Sequence, residues 1–153
     1  MTNRPLRPSI LTLLESLAAV VAASLAIRLL PFGRLARALG PSPSPNVAPL
    51  AISQPLGRAI AFWSKLLPWR TKCFEQAVAA HWLLRRRNFR SVVIFGARPQ
   101  ADSILAHVWV RSGEHDVIGC ENVDSFVVLS HFTNVSSSST VHRSLCKTGG
   151  EES

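Results

Sequence analysis

Two residues of this 153-residue chain have the types and the setting for acyl chemistry, Cys73 and His107. Cys73 opens a run to Arg87 that contains neither glycine nor proline and can therefore propagate as a helix. A thiol in the first turn lies at the positive end of the helix macrodipole, which attracts the negative charge of a nucleophilic thiolate. His107 sits in Ala106-His107-Val108-Trp109-Val110, a β-rich stretch. An imidazole on a neighbouring strand can take the thiol proton and return it to a leaving amine. The pattern is that of a cysteine nucleophile with its base. The plainer alternative is structural, because cysteine is one of the most buried residue types and a single Cys with a distant His is only a candidate signature.

The elements needed to hold such a pair can be read around it. In Trp69-Arg70-Thr71-Lys72-Cys73-Phe74-Glu75-Gln76-Ala77, Thr71 is a candidate N-cap, with cations beside the thiol. Trp69 reads as a core aromatic rather than a substrate contact. After the helix the period changes to that of strands: 91–96, 105–111, 116–120 and 125–132 are each short and β-rich. One helix followed by consecutive strands points to an α+β fold with an antiparallel sheet. Upstream, Pro41-Ser42-Pro43-Ser44-Pro45, Pro49 and Pro55 exclude helix interior, so residues 41–56 read as an extended connector, with a short helix from 57 to 67.

Five stretches taken in order resemble the leader peptidases of lasso-peptide biosynthesis: Leu30-Pro31-Phe32, Leu67-Pro68-Trp69, Cys73-Phe74-Glu75-Gln76-Ala77, Leu83-Leu84-Arg85-Arg86-Arg87 and Ala106-His107-Val108-Trp109-Val110. The resemblance runs from about Leu11 to Phe132. It implies a small transglutaminase-like (papain-like) domain over 57–132 that removes the leader from a ribosomally made precursor peptide. A separate leader-recognition protein would present that precursor, and a separate cyclase would close the product. The domain would carry an N-terminal helical arm over 1–40 and end in a disordered tail over 133–153, where serine and glycine are abundant.

The family's third catalytic member is an aspartate about a dozen residues after the histidine, and here the chain departs from the pattern. That region reads Asp116-Val117-Ile118-Gly119-Cys120-Glu121, so Gly119 or Cys120 holds the expected place. Hairpin geometry narrows the choice. With Gly113-Glu114 as a two-residue turn, position 107 faces 120; with His115 added to the turn, it faces 121. Opposed Cβ atoms lie roughly 5 Å apart, within reach of an imidazole. Glu121 is therefore the first candidate to orient His107. Asp116, near the turn and roughly 13 Å along the strand, is the alternative.

Composition sets limits. Of the residues, 47% are apolar and 17% charged, and the net charge is +8. Cys73, Cys120 and Cys146 form no paired motif, so a reducing cytoplasm fits better than a disulfide framework. Arg85, Arg86, Arg87 and Arg90 complement a helix C-terminus, and no basic face interleaved with aromatics suggests nucleic acid. No zinc spacing or phosphate-binding glycine loop is present, so no metal and no cofactor is expected. His81 reads as a core or rim histidine. Residues 10–27 are nearly all apolar, but Glu15 and Arg28 bound an uncharged run shorter than the ~20 residues a spanning helix needs. Residues 10–39 therefore read as an amphipathic arm that packs on the domain or a partner, with peripheral membrane contact as the alternative.

Overall fold

In the computed structural model, which describes residues 7–40, 44–69 and 72–132, helices cover one face of a four-stranded antiparallel sheet. The helices are α1 (Ile10–Leu29), α2 (Phe32–Ala38), α3 (Leu50–Leu66) and α4 (Cys73–Arg86); the strands are β1 (Val92–Gln100), β2 (Ser103–Ser112), β3 (His115–Ile118) and β4 (Val127–Phe132). The order across the sheet is β3-β2-β1-β4. The α+β expectation holds, and all four strands lie where the alternating and β-branched runs place them. The candidate N-cap Thr71 and the tail 133–153 fall outside the described residues.

α4 is the central helix. Ala77, Val78, Ala79, Ala80, Leu83 and Leu84 are buried, because the helix is covered by the sheet on one side and by α1 and α3 on the other. Its first turn is fixed by the Glu75 carboxylate, which accepts the Lys72 backbone N–H at 2.9 Å. This satisfies one of the donors a helix start leaves free, and it sets an acid against the dipole.

α1 starts at Ser9, whose hydroxyl accepts the Thr12 N–H. It ends because Pro31 forces Leu30 into extended backbone, at φ −100° and ψ 139°. The expected arm is thus two helices. Nor is α1 amphipathic in the usual sense: Ser16, Val20, Ala23 and Ser24 face the core, while Ile10, Leu11, Leu14, Leu25 and Leu29 are exposed. Small residues allow close approach to α4 and α3, and they leave the leucines outside. The Glu15 carboxylate, which interrupts the apolar run, pairs with Arg87 at the end of α4.

The segment expected as a connector needs correction. Helix α3 begins at Leu50, with Pro49 as its N-cap and Pro55 inside it. The first four N–H groups of a helix have no internal partner, so a proline in the second turn forfeits a single bond, the one to the Ala51 carbonyl. Burial of Leu56, Ala59 and Ile60 offsets that loss. Residues 44–49 are extended but tied down. The Ser112 hydroxyl accepts the Ala48 N–H at 2.9 Å and donates to the Arg90 carbonyl at 2.6 Å.

α3 lies against β3 at the edge of the sheet. Gly57 makes this possible, since a Cβ built there would stand 1.8 Å from the Val117 carbonyl oxygen.

Candidate active site

Cys73 is the first residue of α4, a free and half-buried thiol that packs against the core. Phe74 beside it meets Phe95 of β1, ring centroids 5.7 Å apart. The helix start is therefore held over the middle of β1. Trp69, just before the helix, donates from its indole to the Ser24 hydroxyl of α1 at 3.3 Å, which agrees with a packing role.

His107 lies on β2 opposite Gly96 of β1. Strand alternation decides which way each neighbour faces. Val108 and Val110 join the core shared with α4, as does Phe95, the partner of Val108. His107 and Trp109 belong to the alternate face. There the imidazole is flanked by Trp109 at 5.9 Å and Phe126 at 5.1 Å between ring centroids. Gly96 has no side chain to displace the Trp109 ring, which lies within 2.8 Å of where a Cβ would be. Arg98 sits over the other ring of the pair, 5.0 Å from the Phe126 centroid.

The polar partner of His107 is a main-chain group. Its Nε2–H donates to the Gly119 carbonyl at 2.7 Å, which leaves the lone pair on Nδ1 when the ring is neutral. The described contacts thus bring His107 to Gly119, Trp109 and Phe126, and they bring Cys73 to the core under α4.

The acids take separate positions. Gly113-Glu114 is the two-residue turn, with Ser112 opposite His115. A bulge follows: Arg111 faces Asp116, yet Val110 faces Ile118. The extra residue would carry position 121 opposite 107 if pairing went on. It stops at Ile118, and Gly119 turns the chain at φ +73°. Glu121 is exposed in the turn beyond. Asp116 is bound to Arg111 at 2.8 Å, beside the hairpin turn.

Cys120 donates weakly to the carbonyls of Val110 and Ile118, at 3.4 and 3.5 Å. Burial first, then the Asp116 carboxylate, push this thiol up to about 12, so it stays protonated and inert at neutral pH. A cleft of about 270 Å³ is lined by Asp116, Val117, Ile118, Gly119, Cys120 and Glu121. Neither Cys73 nor His107 lines it.

His81, on the sheet-facing helix, is fully buried, with Nδ1 2.9 Å from the Ser91 hydroxyl. Desolvation lowers its pKa to about 4, so it is a neutral core residue. Among the described residues no cluster of three or more His, Cys, Asp or Glu is placed to hold a metal ion.

Two features escaped the sequence reading: the carbonyl that holds the imidazole, and the aromatic pair that flanks it. A carbonyl has no residue signature; the only hint was a glycine where an acid was due.

Comparison with protein families gives a match to the Transglutaminase-like superfamily over residues 17–131. Neither the curated proteins nor the solved structures yield a match.

Proposed function

The chain belongs to the transglutaminase-like superfamily, and from that membership we propose that it is a cysteine peptidase that removes the leader from a lasso-peptide precursor. Members of this superfamily are commonly cysteine-type enzymes, peptidases and acyltransferases among them. The observation that carries the reading is the free Cys73 thiol at the first residue of α4, on a helix start pinned by Glu75.

In the proposed reaction the Cys73 Sγ attacks the scissile carbonyl carbon, and its proton passes to His107 Nδ1. Backbone N–H groups at the start of α4 meet the oxyanion. Collapse breaks the C–N bond, and the leaving amine takes the proton from His107. Water then attacks the thioester with His107 as base, releasing the acid and the thiol. This chemistry requires thiol and imidazole within about 3.2 Å in the substrate complex. Here Cys73 packs with the core on the α4 side of the sheet and His107 belongs to the alternate face, so substrate binding would have to bring the pair together.

The precursor peptide and a separate leader-recognition protein are the partners this reading calls for, with the cyclase acting on the product. The outward row Ile10, Leu14, Leu25 and Leu29 supports a peripheral contact of α1 with a partner or a membrane surface at the cytoplasmic side.

The placement of His107 on the sheet face away from Val108 and Val110 favours a second reading, a domain that binds the precursor without cleaving it. Reconstitution with a lasso-precursor peptide and a leader-recognition protein separates these. A peptidase releases leader as a free acid. An acyltransferase releases little acid in buffer alone and gives the amide when a primary amine is added as acceptor, and a binding subunit gives neither.

A further inference from the structure

We propose that the main-chain carbonyl of Gly119, rather than the carboxylate of Glu121 or Asp116, is the group that positions His107. The inference rests on the peptidase reading for its functional meaning, but its geometry stands by itself. The carbonyl oxygen accepts the Nε2–H at 2.7 Å, from the place in the chain where the acid was expected.

Four further observations set the side chains at 116 and 119–121 apart from that role. Gly119 is at φ +73°, and a Cβ there would lie 2.9 Å from the Val108 carbonyl oxygen, so an aspartate at 119 would be both strained and crowded. Cys120 spends its thiol on the carbonyls of Val110 and Ile118. Glu121 follows the turn and is exposed, and Asp116 is bound to Arg111. The same left-handed turn that stops β3 swings the Gly119 carbonyl toward β2. The kink is thus what supplies the orienting group.

A carbonyl fixes the tautomer and the ring plane as a carboxylate does, but it brings only a partial charge to the imidazolium. Gly119 is accordingly a positioning residue. It presents Nδ1 as the basic atom and holds the ring between Trp109 and Phe126.

The test replaces the Gly119–Cys120 peptide bond with an ester, by placing lactic acid at position 120, with Cys120→Ala as its amide control. An ester carbonyl is a weaker acceptor at almost unchanged shape. The first readout is the ring Nε2–H proton resonance of His107, identified by its loss in His107→Gln. We expect that line to move upfield and exchange faster in the ester protein, and to stay in place in Cys120→Ala, Glu121→Gln and Asp116→Asn. The second readout is precursor cleavage, where the ester should lower kcat about 5- to 10-fold with KM unchanged, the effect of weakening one hydrogen bond. A line that ignores the ester, or that shifts in Glu121→Gln, overturns the assignment of Gly119. Cleavage that persists in folded Cys73→Ala overturns the peptidase reading instead, and leaves the resonance pattern as it is.

Discussion

A fully buried imidazole makes the stability of this chain depend on pH. His81 has a folded pKa of about 4 against an ordinary value of 6.5, with burial as the chief cause. Below 6.5 the unfolded chain binds a proton that the folded one refuses, so stability is complete above pH 6.5 and falls as pH drops toward 4. The full loss is about 3 kcal/mol. Thermal melts between pH 7 and 4.5 should show this decline, and His81→Gln should flatten it; an equal slope in the variant would assign the dependence to other groups. The two described cysteines differ in a related way. With its pKa near 12, Cys120 is thiolate to only ~10⁻⁴ at pH 8. Iodoacetamide followed by peptide mapping should label Cys73 long before Cys120, and the opposite order would contradict the burial argument. At this scale Cys73 and His107 stand out as candidates because chemistry selects residue types, and the departure at the acid position is visible as Gly119 or Cys120 where an aspartate is expected. What Gly119 does is not visible in the sequence, since the acceptor is a backbone atom whose direction depends on a bulge and a left-handed turn.

The elements show why local rules succeed in some places and fail in others. The strands were readable because period-two alternation and the Gly113-Glu114 turn act locally. The start of α3 was not: Pro49 and Pro55 read as breakers, yet one is an N-cap and the other costs one bond that tertiary burial outweighs. α1 was misjudged in its facing, because the small residues Ser16, Ala23 and Ser24 rather than the leucines permit close packing on α4. The contact between α3 and β3 gives the most direct test of the packing. Gly57→Ala should raise intrinsic helix propensity by about 1 kcal/mol, but its Cβ would stand 1.8 Å from the Val117 carbonyl oxygen. Overpacking costs of about 1–3 kcal/mol or more should win, and the melting temperature should fall by several degrees. A variant as stable as the parent would mean that α3 does not approach β3 this closely. The Glu15–Arg87 pair is about a quarter exposed on each side, so Glu15→Gln should cost less than about 1 kcal/mol.

At the scale of the whole molecule, α1 buries one face of α4 and presents Ile10, Leu11, Leu14, Leu25 and Leu29 outward on a chain of net charge +8. Its 20 residues are long and apolar enough to cross a membrane, although it packs on α4 and α3 here. Removal of residues 1–40 should strip cover from the central helix and yield aggregated protein; a soluble fragment with an unchanged melt would mean that the arm is not part of the fold. Whatever α1 contacts, the proposed cleavage depends on one thiol at the start of α4. Its most direct test is intact-mass analysis of the precursor after incubation with the recognition protein and either the parent chain or Cys73→Ala, with circular dichroism to show that both are folded. The parent should release the leader at one peptide bond and the variant should release none. Leader release at the parent rate by folded Cys73→Ala would rule out Cys73 as the nucleophile.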